Sequence, residues 1–121
     1  MALSPSDPVL HHMLGVWCFE VARLDWVTRS VASALFGAPP VSSYAEALGH
    51  LARADELGTA RGTPLMTTRL TAARCHAALR DSAAASAWLR RAAELPPGPG
   101  EDEDAMEQLQ RLAASLGVRL P

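Results

Sequence analysis

Two stretches of this chain carry the same stripe of small and apolar residues at the same spacing. Tyr44, Ala47, Leu51, Ala54 and Leu57 step by three, four, three and three residues, and Ser82, Ala85, Leu89, Ala92 and Leu95 repeat those steps 38 residues later. Steps of three and four place side chains on one face of an α-helix. Recurrence of a helical face at a fixed offset is the mark of a stacked repeat. Ala47, Ala54, Ala85 and Ala92 let a neighbouring helix approach closely, with Leu51 and Leu89 as the knobs between them. The composition agrees: Ala (23) and Leu (17) dominate the apolar residues and Ile is absent, a mixture that loses little side-chain freedom in helices.

The punctuation predicts six helices and no sheet, since no segment sustains a period of two. Asp7-Pro8 reads as an N-cap followed by proline at the first helical position, opening a helix over Val9 to Leu24. Asp25 caps a second helix over 25–36, stopped by Gly37 and Pro39-Pro40. Ser43 with Glu46 three residues on is a capping box for a third helix, Tyr44 to Leu57, ended by Gly58. A fourth runs from Pro64 to Arg80. After the Asp81-Ser82 corner a fifth reaches Leu95, and Pro96 to Gly100 breaks the chain. The last helix starts in the acidic run Glu101, Asp102, Glu103, Asp104 and Glu107, whose carboxylates suit the positive end of a helix, and Gly117 ends it.

The second stripe has a partner helix just upstream, carrying Ala72-Ala73 and His76. Together they form a helix-turn-helix unit that resembles a tetratricopeptide repeat, down to Pro97 beyond Leu95. The first unit has the same parts further apart: Leu14-Gly15 and Cys18 match the small pair and its partner. Ala73 to Ser82 is 9 residues, whereas Gly15 to Tyr44 is 29, so 20 residues containing the second helix are inserted. The expected fold is all-α: tetratricopeptide-repeat-like hairpins with an inserted helix and a C-terminal capping helix. A single domain over 1–121 would comprise unit one at 7–57 with the insertion at 25–36, unit two at 64–95, and the cap at 101–117. With so few repeats, the first helix is expected to show an apolar side to solvent.

A narrower resemblance rests on Leu14-Gly15-Val16-Trp17-Cys18-Phe19, Trp26, the run from Ala32 to Tyr44, Glu46-Ala47-Leu48 and Ala54-Asp55-Glu56-Leu57. These segments look like the regulator of microtubule dynamics family. The inserted helix with its Pro-Pro-x-Ser-Ser-Tyr exit is the specific part, because ordinary tetratricopeptide repeats lack it. The departures concentrate after Leu57, in Thr59 to Met66 and Pro96 to Gly100. Typical members carry further repeats upstream and, in some, an N-terminal membrane anchor; beside them this chain resembles a short or truncated form.

Charge and cysteine usage exclude several function classes. The body, residues 1 to 100, holds 8 acids and 9 Arg, so it is nearly neutral with one acidic corner after it. No basic block exceeds the pair Arg90-Arg91, so a nucleic-acid footprint is not expected. Cys18 and Cys75 have no metal or redox spacing and suit a reducing compartment. The first Arg is Arg23, which argues against a signal or transit peptide. The longest uncharged stretch, Ser30 to Ala45, is too short to span a bilayer. A cytoplasmic protein is expected.

The remaining chemistry is sparse. His11-His12 are adjacent and diverge on a helix, and no ligand sits one turn on, so no metal is expected. Cys75-His76 likewise point apart and read as packing residues. The acids over 101–107 lack the loop and glycine of a calcium site. No phosphate loop, nucleophile elbow or acid–base pair emerges; neither catalysis nor a cofactor is expected. Trp17, Phe19, Trp26 and Phe36 either fill the space between the inserted helix and unit one or line an apolar cavity.

Stacked hairpins leave a concave side. If the first helix of each unit lines it, the lining includes His12, Val16, Phe19, Glu20, Leu70, Arg74 and Ala77, with Arg74 an anchor for a carboxylate or phosphate. Residues 53 to 91 also form a basic zone of net +4 that includes Arg90 and Arg91, suited to an acidic protein surface such as tubulin. The resemblance implies a non-catalytic interaction module or scaffold with microtubules, tubulin or an adaptor as partner. Its localisation would be on microtubules or the spindle, or at mitochondria. The alternative it implies is a phospholipid-binding or lipid-transfer module at organelle contacts.

Overall fold

The computed structural model describes residues 7–24, 26–37, 43–95 and 103–119, with Trp26, Val27, Arg29, Ala32, Phe36 and Glu103 described by their backbone alone. Among the described residues the chain is all-helical: α1 (Pro8–Ala22), α2 (Trp26–Phe36), α3 (Tyr44–Ala60), α4 (Met66–Ala78), α5 (Ser82–Ala93) and α6 (Glu103–Leu116). The expected caps at Asp25 and in Glu101-Asp102, and the breaks at Pro39-Pro40 and Pro96 to Gly100, lie outside the described residues.

The start signals act as their chemistry requires. Asp7 accepts a hydrogen bond from the Val9 amide (2.9 Å), Ser43 Oγ from the Glu46 amide (3.1 Å) and Asp81 from the Ala84 amide (3.1 Å). Each satisfies one of the donors that a helix leaves unpaired at its start.

α1, α4 and α5 each end two residues before the expected Leu24, Arg80 and Leu95, and two boundaries between α3 and α4 differ in a way that the packing explains. α3 does not stop at Gly58 but runs on to Ala60. Gly58 is a helical residue whose missing Cβ admits the next loop: a methyl there would stand 3.1 Å from the Thr63 carbonyl oxygen. The turn itself falls at Gly62 (φ +74°), where the amides of Thr63 and Gly62 bond back to the carbonyls of Gly58 and Thr59. That crossed pair satisfies the last carbonyls and requires a left-handed residue between helix and loop. α4 accordingly begins at Met66, two residues after Pro64, with Leu65 at its N-cap and no side-chain cap.

The helices pair as α1 on α3 and α4 on α5, with α3 against α4 joining the two pairs and α6 on α5 and α4. This is consistent with two stacked hairpins and a terminal cap. The repeated stripe forms their seams: Ala47, Leu51, Ala54, Ala85, Leu89 and Ala92 are all buried. One apolar cluster gathers Cys18, Phe19, Ala47, Leu51, Ala72 and Cys75; the other gathers Met66, Leu70, Ala73, Leu89, Ala92, Leu109 and Ala113. Trp88 packs against both.

The outer side of α1 carries Val9, Met13 and Trp17, one turn apart and each at least half exposed, the apolar side expected of the first helix. Trp17 is therefore neither filler nor cavity wall. Phe19 is buried against Tyr44, ring centroids 5.8 Å apart. The side chains of Trp26 and Phe36 lie outside the described residues. Val31 and Leu35 of α2 are also exposed. No described helix is long and apolar enough to cross a membrane.

Candidate functional site

α1 and α4 face each other across a groove of about 310 Å³, and α6 closes it on a third side. α1 contributes His12, Val16, Phe19 and Glu20, spaced four, three and one residues apart so that they share a face. α4 contributes Thr67, Leu70, Thr71 and Arg74, and α6 contributes Asp104, Ala105 and Gln108. Six of the seven residues expected on the concave side thus line one groove. Ala77 is half-buried one turn beyond Arg74 and does not line it.

Sequence reasoning missed the α6 wall and the two threonines. The α6 wall left no signal, because a capping helix can lie over either end of its neighbour. Thr67 and Thr71 lie one helical turn before Leu70 and Arg74 respectively and could have been placed on that face; Thr71 bonds back to the Thr67 carbonyl oxygen (2.8 Å).

Arg74 lines the groove and is held from both α1 and α6. Its guanidinium carbon lies 4.7 Å from the centre of the Phe19 ring, and its Nη1 donates to Gln108 Oε1 (3.3 Å). Arg23 lies over the same ring at 5.6 Å and pairs with Glu20 at 3.5 Å. Such contacts hold a cation against an aromatic face while leaving its edge free to bond. Burial pushes the Arg74 guanidinium down from its ordinary value and the neighbouring Arg23 charge adds to this, while Glu20 pulls it back. His12 Nδ1 is 2.7 Å from Thr68 Oγ1, which fixes the ring at the groove edge.

The basic zone looks different in three dimensions. Arg69 is buried and donates from Nε to Asp55 Oδ1 (2.7 Å) and from Nη1 to the Arg91 carbonyl oxygen (2.8 Å). Arg91 donates to the second Asp55 oxygen (2.5 Å) and lies over the Trp88 ring at 4.3 Å. Arg53 pairs with Glu56 at 3.1 Å. Of the two arginines singled out, Arg91 is thus tied into a network joining α3, α4 and α5, whereas Arg90 projects from α5 as an exposed side chain. The network itself was not foreseen, although Asp55 lies four residues after Leu51 and three before Gly58, on the buried side of α3.

His11 and the two cysteines are packing groups. His11 stacks on His50 of α3 with ring centroids 5.9 Å apart. Cys75 is buried, and burial pushes its thiol up to about 12. Among the described residues no three His, Cys, Asp or Glu side chains cluster to hold a metal ion. Seven of the eleven groove-lining side chains are polar, which suits a ligand with charged and hydrogen-bonding groups better than an acyl chain.

Paired helices stacked into an all-α array around a polar groove define the architectural class as helical-hairpin proteins. The chain belongs to the regulator of microtubule dynamics family, whose model, described as regulator of microtubule dynamics protein 1-3, matches residues 1–117. It is similar to regulator of microtubule dynamics protein 3 of Xenopus laevis, 34% identical over 114 residues, 93% of this chain and 24% of that protein. Regulator of microtubule dynamics protein 1 of Bos taurus is 34% identical over 116 residues, 94% of this chain and 34% of that protein. The human protein 1 is 29% identical over 119 residues, covering 97% of this chain and 36% of its relative. The chain therefore spans about a quarter to a third of the length of the curated relatives it matches.

Proposed function

We propose that this chain is a non-catalytic helical-repeat interaction module that associates with microtubules, directly or through an adaptor, and binds with its concave groove. The domain is read as one unit over 1–121, two hairpins and a cap. The observation that carries the reading is Arg74, a half-buried cation lining a groove walled by three helices. Support for the microtubule partner comes from the relatives, which are named regulators of microtubule dynamics. An acidic partner surface is favoured by an accessible cation, and Arg74 and Arg90 supply two. Such a role places the protein in the cytoplasm, at the cytoskeleton. Nothing in the polar lining favours the phospholipid alternative or a mitochondrial role.

Cosedimentation with microtubules tests this. The wild type is expected to pellet in a salt-sensitive manner, with Arg74→Gln reducing the bound fraction severalfold and Arg90→Glu reducing it less. Arg91 is left unchanged, because its substitution would break the network around Asp55. Association unaffected by both variants would remove the groove and the basic zone from the reading; no association in any salt would remove the microtubule.

A further inference from the structure

Among the described residues no carboxylate forms an ion pair with Arg74: Glu20, whose charge reaches it, pairs with Arg23, and Glu107 pairs with Arg111. A guanidinium has five N–H donors. Arg74 gives one, from Nη1, to the neutral amide oxygen of Gln108, and rests its face on Phe19. A partly desolvated cation with unused donors favours a carboxylate, whose charge-assisted bonds are roughly twice as strong as those to an amide. Gln108 is the uncharged isostere of Glu, and it is exposed on α6.

We propose that Gln108 is a built-in placeholder for an acidic protein segment: a Glu or Asp side chain of the partner displaces it from Arg74. The inference rests on the groove being the binding face. The occupant is an extended segment rather than a free anion because the groove continues past Arg74. A second depression of about 330 Å³ shares Arg74 and Gln108 and runs on to Arg111 and Leu112. An internal side-chain carboxylate fits a cation midway along such a path, with an adjacent apolar residue against Val16 and Ala105. Asp104, in the first turn of α6, has its charge offset by the positive end of that helix.

The test is fluorescence anisotropy with a short labelled peptide of repeated Gly-Glu-Val-Glu, beside its Gly-Gln-Val-Gln counterpart. The acidic peptide is expected to bind the full chain about tenfold or more tightly than the amide peptide, a difference of about 1.4 kcal/mol or more. Arg74→Gln should remove that preference. Gln108→Glu should weaken binding about tenfold by placing an internal carboxylate on Arg74, while Gln108→Ala should keep or tighten it. Because Gln108 is exposed, this opposed pair reads the groove without disturbing the core. Equal binding of both peptides, or equal effects of Gln108→Glu and Gln108→Ala, overturns the proposal, as does binding to anionic phospholipid vesicles in place of the peptide. Microtubule association that needs Arg74 without peptide preference would sink this inference alone. Peptide preference with the Gln108 pattern but no microtubule association would sink only the broader reading.

Discussion

Gly15 of α1 lies so close to Leu51 of α3 that a methyl group at Gly15 would stand 2.6 Å from Leu51 Cγ and 3.2 Å from the Leu51 backbone nitrogen. Leu51 is fully buried. The two residues lie 36 positions apart, on either side of the insertion, and their approach is one of the contacts by which α1 and α3 pack as one hairpin. Gly15→Ala is expected to destabilise the fold by up to about 2 kcal/mol. Overpacking of a core costs about 1–3 kcal/mol, offset by about 1 kcal/mol from the better helix propensity of alanine. Urea denaturation checks this, and in the double variant with Leu51→Ala the losses should fall short of their sum.

Asp55 holds the two hairpins together. Its carboxylate is almost wholly buried and takes one hydrogen bond from α4 and one from α5. Asp55→Ala leaves Arg69 as a buried cation without its partner, an error that costs about 3–5 kcal/mol. Replacing exposed Glu56, which pairs with Arg53 on the surface, should change stability by less than about 1 kcal/mol. Equal effects of the two substitutions in the same denaturation assay would show that the network is no tie.

Cys75 provides a pH signature. Its thiol is held up to about 12 in the folded chain, so folding favours the protonated form. The stabilising effect is complete below the ordinary thiol value near 9 and is lost as pH rises toward about 12, because the unfolded chain ionises first. Iodoacetamide at mildly alkaline pH should leave Cys75 unmodified in the native protein and label it in urea, as read by peptide mass spectrometry. Labelling of the native protein at the unfolded rate would contradict its burial.

Arg80 closes α4 in the left-handed conformation, at φ 61°, with its amide bonding to Ala77 and that of Asp81 to His76. The same crossed pair closes α3 at Gly62 and α6 at Gly117. A side chain at such a position costs about 1–2 kcal/mol relative to glycine, partly offset by the greater freedom of glycine in the unfolded chain. Arg80→Gly is therefore expected to stabilise by about 0.5–1 kcal/mol and raise Tm by a few degrees. A lowered Tm would point to a contact of the Arg80 side chain that outweighs the strain.

Local chemistry determined the helices and their seams. Capping at Asp7 and Ser43, the corner at Asp81-Ser82 and the spacing of Ala47-Leu51-Ala54 and Ala85-Leu89-Ala92 can all be read from the sequence, because each depends on residues within a few turns of one another. Those same faces gave six of the residues around the groove. What the neighbours of a charge would be could not be read in this way. Arg91 looked like a free cation and is paired with Asp55 across 36 residues; Gly58 looked like a stop and is a point of close approach; Gln108 carried no signal and is the partner of Arg74. These relationships join separate helices, and the distance and burial that give a charge its role exist only once the helices are packed.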